Sequence, residues 1–561
     1  MINNIKKISY QNITLLFKII SSKEKRNYFK YSLLFIFSTF FELISISLII
    51  PLLNNLLGIK NVSSINNFSS YFEETSSLRI LIIILIITIV KNIWQFLIIK
   101  KVVSFGFNIQ KRLSSKVYND FLNSDFEYFS SSKSNQLIKT IMNETSMINN
   151  YFISPSFVIL SEITLIFIIL CYLIITNIQI TFFIIFMSSL IILLSSNISM
   201  KYLKKIGNQR LIFDDKRIKL IQETFGLKIE INVYNLQKYY INNFHAYNNK
   251  FIESCKKQLI FQKLPKHIYE VLLYVMVTFI FIIISKNGNS NQQAIITLTI
   301  FSYALIKIIP ALSRISQSIQ SMQYSSSAIE SISNSLLNKR TPREIKEINF
   351  EKSIEFKAVS YRYHDNSSYV FKDLSFKILN NHILGISGKS GSGKTTLLNI
   401  ICGVISPNEG QIYINDKKID NYFLKGISYV SQSVYIIDDD VISNISFGTD
   451  QEPNIEKINE ILKKVDLYDF FMKKNDKLKY KVGENGNKLS GGQRQRLGIA
   501  RALYRNSNVI FFDEFTSALD TTTETKLLEL VKNISHDVTI ILISHNKSVL
   551  DICSKIISLE K

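Results

Sequence analysis

The chain has 561 residues, 47% of them hydrophobic, with a mean hydropathy of +0.15 and a net charge of +22. That length holds two or more domains, and the apolar residues crowd into the first 320 positions, which excludes a wholly soluble protein. No basic helix interleaved with aromatics accompanies the charge, which argues against nucleic acid and for cationic loops beside membrane spans; Cys171, Cys255, Cys402 and Cys553 have neither metal nor disulfide spacing and are expected to be buried thiols in a reducing compartment.

Residues 1–30 are basic and amphipathic, with no small-residue cleavage site after the first apolar run. They are expected to lie on the cytoplasmic leaflet as an interfacial segment. Between 31 and 320 six apolar stretches reach spanning length, near 31–53, 80–99, 152–175, 180–200, 268–285 and 294–315. The loops at 58–77, 176–179 and 286–293 hold at most one lysine each, whereas 100–150 and 201–266 are long and rich in Lys and Arg. The positive-inside rule puts these two long segments and the N-terminus in the cytoplasm. Both read as helices that continue spans two to five. The pattern breaks around Asp125–Phe129 and Thr224–Lys228, where a short transverse helix is expected. Span six continues in Ser-rich helical form to Leu337, Lys339-Arg340-Thr341-Pro342 ends it, and 321–348 reads as a linker.

From 349 to 561 short β-rich runs alternate with helical patterns, which predicts an α/β domain with a largely parallel sheet. Gly388, Lys389, Ser390, Gly391, Ser392, Gly393, Lys394 and Thr395 follow an apolar strand, and a helix opens at Thr396. That is a phosphate-binding loop in its strand–loop–helix context: Lys394 is suited to the β and γ phosphates and the Thr395 hydroxyl to Mg²⁺. Leu489, Ser490, Gly491, Gly492 and Gln493 precede a helix expected over 494–504, a second cradle for an anion. One phosphate chain does not need two cradles on one domain, but two domains facing head to tail would use one from each. A strand at 509–512 ends in Asp513 and Glu514, a pair suited to binding Mg²⁺ and polarising water.

With Ser517-Ala518-Leu519-Asp520 and Ile543-Ser544-His545, these residues resemble the nucleotide-binding domain of ABC transporters, in order and spacing across 350–561. Six spans before one such domain is the half-transporter arrangement of type IV exporters. The resemblance implies a six-helix α-helical transmembrane domain followed by an α/β P-loop NTPase domain, with coupling helices at the two breaks. It implies ATP and Mg²⁺ as ligands and a second identical subunit as partner. Tyr363 takes the place of an aromatic that stacks on adenine, and Gln432 that of the Q-loop glutamine. Thr395, Asp513 and Gln432 order Mg²⁺ and its waters, Glu514 activates the attacking water, and His545 contacts the γ-phosphate. Ser490 and Gly492 complete the site from the opposite subunit, and Asp520 belongs to the D-loop. Two positions depart from the pattern: Phe515 stands where a small residue is usual, and Asn485 where an arginine is usual.

Lys307-Ile308-Ile309-Pro310-Ala311-Leu312-Ser313-Arg314 in span six is similar to the Arg-x-x-Pro-Ser-x-x-Arg pattern of lipid-linked oligosaccharide flippases, and Leu264-Pro265-Lys266 with Glu270 resembles their span-five entrance. Glu42, Lys91, Glu162, Glu270 and Lys307 lie in or near spans, where charges are costly and line a bundle interior or pair with one another. Lys307 and Arg314 are two helical turns apart on one face and suit a diphosphate, together with Lys266 and Lys91. The expected function is an ATP-driven flippase that moves a polyprenyl-pyrophosphate-linked oligosaccharide across the cytoplasmic membrane of a bacterium by alternating access. Its partners are the bilayer and the lipid-linked saccharide, with no nucleic acid. An exporter of another lipid, a peptide or a drug is the alternative, and a nucleotide-gated channel the more distant one.

Overall fold

A computed structural model describes residues 14, 18–48, 51–52, 76–124, 126–286, 291–337, 346–363, 368–389, 391–419, 422–449, 452–516 and 519–559. Ser390, Ser517, Ala518, Asp125, most of the interfacial segment, the first extracytoplasmic loop and the 338–345 part of the linker lie outside the described residues. The chain divides into two compact units, Met1–Ser124 with Tyr128–Arg340 and Asp125–Glu127 with Thr341–Lys561.

The first unit is helical. Six helices carry the six apolar stretches: α1 (Ser22–Ser47), α2 (Ser77–Leu122), α3 (Ser154–Thr176), α4 (Ile178–Gly226), α5 (Gln237–Lys286) and α6 (Asn291–Tyr324). Among the described residues four helical runs are long and apolar enough to cross a membrane, Ser77–Leu122, Ser134–Thr176, Gln237–Ile284 and Ile295–Tyr324. α2, α4 and α5 run 46, 49 and 50 residues, about 70 Å each at 1.5 Å per residue, far beyond a hydrocarbon core of about 30 Å. They extend past the apolar stretches, as their sequence predicts. On α2 the residues Ile98, Val102, Phe105, Ile109 and Leu113 are buried at helical spacing, while Leu81, Leu85, Ile89 and Ile93 are exposed. An apolar outer face of that kind suits lipid rather than water.

The expected breaks are present as two six-residue helices, Phe126–Ser131 and Lys228–Val233. The turn between α3 and α4 is one residue, Asn177, whose side chain accepts from the N–H groups of Gln179 and Ile180 and caps α4. Upstream of α3 the helical run contains two π-helical segments, Thr140–Glu144 and Asn149–Ile153, separated by one α turn. Just after the second, Pro155 has no N–H to give to the carbonyl of Tyr151, four residues back; the Ser325 hydroxyl lies 3.4 Å from that oxygen and 3.1 Å from Met322 O. α7 (Ser326–Leu337) follows α6 after a turn at Ser325 and buries Ala328, Ile329 and Ile332, so the expected linker is packed helix as far as Leu337.

Buried charge ties the polar extensions together. Arg210 on α4 donates to both carboxylate oxygens of Glu144, at 3.1 and 3.0 Å, with both side chains buried. One turn further along α4, Asp214 accepts from Arg217 at 2.7 Å and from Asn143 at 2.9 Å.

The second unit is built on a five-stranded sheet, all parallel, in the order β11 (Lys555–Leu559), β4 (Ile383–Gly388), β10 (Thr539–Ile543), β9 (Val509–Asp513), β8 (Ile427–Val430). Alternate residues face opposite layers. Val509, Phe511, Ile541 and Ile543 pack toward the antiparallel sheet of β2 (Ser353–Tyr361), β3 (Phe371–Leu379), β5 (Glu409–Ile414) and β6 (Lys417–Lys418), together with helix α8 (Lys394–Ile401). Two further strands, β1 (Lys346–Asn349) and β7 (Tyr422–Lys425), pair in parallel. Ile510, Phe512, Ile540 and Leu542 pack toward α9 (Ile455–Lys464), α10 (Gly491–Tyr504) and α11 (Thr521–Ile534). Both faces of the sheet are covered, which is why its strands read as unbroken apolar runs.

The thiols differ from expectation. Only Cys402 is buried among the four; Cys255 and Cys553 are half-buried, and Cys171 is exposed on α3. Burial pushes the thiols of Cys402 and Cys553 up to about 12, so neither is a nucleophile at neutral pH.

A candidate nucleotide site and a charged patch on span six

The strand order decides what meets at the C-terminal edge of the parallel sheet, where α/β folds place their ligands. β10 lies between β4 and β9, with Ile543 paired to Ile386 on one side and to Asp513 on the other. The loop after β4 carries Gly388–Thr395, the residue after β9 is Glu514, β10 leads to His545, and β8 leads to Gln432. Segments more than a hundred residues apart in sequence are thereby brought to one edge.

Gly391 and Gly393 have φ of 80° and 96°, a left-handed backbone that glycine adopts without steric cost. A Cβ on Gly391 would meet nothing within 4 Å, so its side of the loop is open, whereas one on Gly393 would collide with Val370. Among the described residues the buried hydroxyl oxygen of Ser392 has no hydrogen-bond partner. The Lys394 ammonium donates to the carbonyls of Gly388 (2.8 Å) and Lys389 (3.3 Å). α8 begins at Lys394, which puts its N-terminal N–H groups and dipole at the loop. An open glycine backbone, a buried orphan hydroxyl, a lysine and a helix N-terminus fit a polyphosphate. Tyr363 is held beside the loop by a 2.7 Å hydrogen bond between its hydroxyl and that of Thr396.

Thr395, Gln432 and Asp513 offer hydroxyl, amide and carboxylate oxygens, the hard donors Mg²⁺ prefers. Among the described residues no three His, Cys, Asp or Glu side chains form a self-contained metal site. Burial raises the Asp513 carboxyl above the usual range and adjacent Glu514 adds to this, while a hydrogen bond from Tyr429 and the charge of Lys394 act the other way. Glu514 is the hub of the edge. Its backbone N–H donates to Ile543 O at 2.9 Å, Gln432 Nε2 donates to its Oε2 at 2.6 Å, and His545 Nδ1 lies 3.3 Å from its Oε1.

The second cradle starts three residues earlier than expected: α10 opens at Gly491, so the signature residues form its first turn. Ser490 is its N-cap in a reciprocal capping box. Its hydroxyl accepts from Gln493 N at 3.2 Å, and Gln493 Oε1 accepts from Ser490 N at 2.9 Å. Asp520 caps α11, and the Thr522 hydroxyl first, then Thr523, hold its carboxyl well below the usual range. Of the two departures, Phe515 is fully buried against Phe512, with ring centroids 4.7 Å apart. Asn485 has φ 51° and ψ 24°, a left-handed conformation that asparagine tolerates better than arginine.

In the first unit Arg314 meets Glu162 of α3 in a two-pronged pair, Nε to Oε1 at 2.7 Å and Nη2 to Oε2 at 2.9 Å. Glu162 is mostly buried and Arg314 half-exposed. Lys307 is on the same helix with its ammonium 5.6 Å from the Tyr303 ring centroid. Lys266 is 4.0 Å from Glu270 on α5, and Lys91 lies on α2. Glu162 is recognisable in the sequence as a charge in a span, but its bond to Arg314 is not. Tyr429, whose hydroxyl donates to Asp513 Oδ2 at 3.0 Å, carries no motif at all.

The family described as ABC transporter matches residues 371–517, and the ABC transporter transmembrane region matches residues 28–308. The chain is 29% identical over 510 residues to a protein of Rickettsia conorii named as an export ATP-binding/permease protein, covering 87% of this chain and 85% of that one. It is 24% identical over 458 residues to an ATP-dependent lipid A-core flippase of Paraburkholderia xenovorans, covering 80% and 76%. Its fold matches that of a bacterial Atm1-family ABC exporter solved with ATP bound, with a TM-score of 0.79 and 16% identity over 96% of this chain and 93% of that one.

Proposed function

The chain belongs to the ABC transporters, with a transmembrane region and an ATPase domain in one polypeptide, and from that premise we propose that it acts as a homodimer in a bacterial cytoplasmic membrane and flips a polyprenyl-pyrophosphate-linked saccharide outward. It is a multi-pass membrane exporter that couples ATP hydrolysis to transport. Mg²⁺ supplies charge neutralisation of the phosphates when bound. Lys394 and Ser392 face the phosphates, Thr395, Asp513 and Gln432 hold the cation's shell, and Glu514 takes the proton of the attacking water, with His545 beside it. Ser490 and Gly492 of one subunit close the site of the other.

The observation that carries the substrate class is charge kept inside apolar spans: Lys307 and Arg314 on one face of α6, the latter held by Glu162. Charges at such depth are costly unless they face a cavity or a partner. A pyrophosphate head group needs cations on its path because it does not cross hydrocarbon unpaired. A second reading, a phosphorylated glycolipid of the lipid A type, is favoured by the names of relatives that align over 60% to 80% of the chain. Both substrates carry phosphate on a sugar lipid, and assay of each in turn separates them.

Head-group translocation is measured in proteoliposomes beside ATP turnover. Lys307→Ala with Arg314→Ala is expected to cut flipping at least tenfold, since a cation–phosphate contact is worth several kcal/mol at an effective dielectric of about 20, while basal ATPase stays within about threefold. Lys307→Arg keeps the charge and most of the transport. Arg314→Ala also leaves the Glu162 carboxylate without its guanidinium, so Glu162→Gln is made in the same background. Unchanged flipping in both makes these charges structural and points to an uncharged substrate.

A further inference from the structure

Beside the proposed Mg²⁺ ligands the structure contains a polar contact that no motif explains. β8 and β9 run parallel with Tyr429 opposite Phe511 and Val430 opposite Phe512. Paired residues on neighbouring strands share a face, and so do residues two apart on one strand. Tyr429 and Asp513 therefore stand on the same face of the sheet, one pleat repeat apart, about 6.6 Å along the strand. A tyrosine is long enough to cross that distance, and its hydroxyl donates to Asp513 Oδ2 at 3.0 Å. A phenylalanine would fill the same space against the sheet without the bond.

We propose that Tyr429 is a positioning residue for the cation site: its hydroxyl holds Asp513 Oδ2, so that recruitment of Mg²⁺ and its water falls to Oδ1. A carboxylate at a strand end is free to rotate about its last bond, and a donor fixed on one oxygen removes that freedom before the cation arrives. Pre-set ligands bind more tightly because the ordering cost is already met. Glu514 lies beside Asp513 and takes its own donors, Gln432 and His545. Tyr429 gives the first carboxylate a separate donor, so the two acids keep different jobs. The inference rests on the ATPase chemistry of the family and is independent of which lipid is carried.

The test uses the full-length transporter with Tyr429→Phe, which removes one oxygen and keeps the ring. Mn²⁺ stands in for Mg²⁺, and its affinity is read by electron paramagnetic resonance in the presence of a non-hydrolysable ATP analogue. The bond is present with and without the cation, so only the ordering cost it saves reaches the affinity, and Mn²⁺ affinity is expected to fall roughly three- to tenfold. Affinity for the metal-free nucleotide stays within about twofold, which also reports that the site is folded. The Mg²⁺ concentration for half-maximal ATP turnover rises by a similar factor, while kcat at saturating Mg²⁺ stays within about threefold. Tyr429→Gln, which restores a donor on a shorter chain, regains part of the lost affinity. Unchanged Mn²⁺ affinity in Tyr429→Phe overturns the proposal. Equal weakening of nucleotide binding with and without metal overturns it too, since that marks a general distortion of the site.

Discussion

Glu514 adopts φ 45°, a left-handed backbone unusual for a residue with a side chain. Backbone strain at such positions costs about 1–3 kcal/mol and persists where neighbours over-determine it. Here its N–H is bound to Ile543 and its carboxylate to Gln432. Glu514→Gln keeps the shape and removes the base. ATP binding should survive, and turnover should fall at least about a hundredfold, the usual contribution of a positioned base. Radiolabelled nucleotide binding beside phosphate release checks this, and near-normal release would remove Glu514 from that role. At this scale the phosphate loop, the signature and the Asp-Glu pair were legible because each is a local device whose function follows from adjacent residues. The Tyr429–Asp513 and Arg314–Glu162 contacts were not, because their partners stand 84 and 152 positions apart. Phe515 was legible only as an oddity; its reason is a core that has room for a ring against Phe512.

Helices were legible where period and length speak for themselves: five of the six apolar stretches lie on helices throughout, and the first does so as far as Ser47. What the pattern could not give is how closely they pack. Gly207 on α4 leaves so little room that a Cβ there would sit 2.5 Å from the backbone oxygen of Tyr324 on α6. Backbone does not yield as a side-chain tip does, so the two helices would have to separate. Gly207→Ala should cost about 1–3 kcal/mol, the range for overpacking. Gly226→Ala at the end of the same helix, where a Cβ meets nothing within 4 Å, is the control, and it should be neutral or slightly stabilising. Thermal unfolding in detergent separates them; equal melting temperatures would show that α4 and α6 have slack. The start of α10 was also misjudged, since glycines at 491 and 492 look like loop until the Ser490–Gln493 capping box is seen to fold them into the first turn.

For the whole molecule, strand order was the part hidden from the sequence. Apolar runs predict strands, but nothing in a run says that β10 lies between β4 and β9. The proposed dimer follows from counting cradles: one polyphosphate, two glycine-rich helix starts. Lys394→Ala damages one cradle and Ser490→Arg the other. Each variant alone should be inactive, while an equal mixture, exchanged before reconstitution, holds about half mixed dimers with one competent site apiece. ATPase activity should return to roughly a quarter of the unmodified level if sites work independently, and to less if they are coupled. Full activity from a protein that sediments as a monomer would end the dimer proposal.

The two π-helical segments, Thr140–Glu144 and Asn149–Ile153, also bear on how this chain is compared with its relatives. A π turn takes in one residue more than an α turn yet leaves the helix on either side facing the same way. An extra residue in a plain helix would instead swing everything beyond it by about 100°. The stretch from Ser134 to Thr176 can thus hold two inserted residues while Glu144 keeps facing Arg210 and the apolar face of α3 stays turned to its neighbours. A relative whose helix is purely α-helical here lines up with this chain only across a one-residue gap at each π turn. A gapless comparison would match residues from opposite sides of the helix. Deletions and insertions of one residue are therefore readable here as changes of helix type rather than of fold.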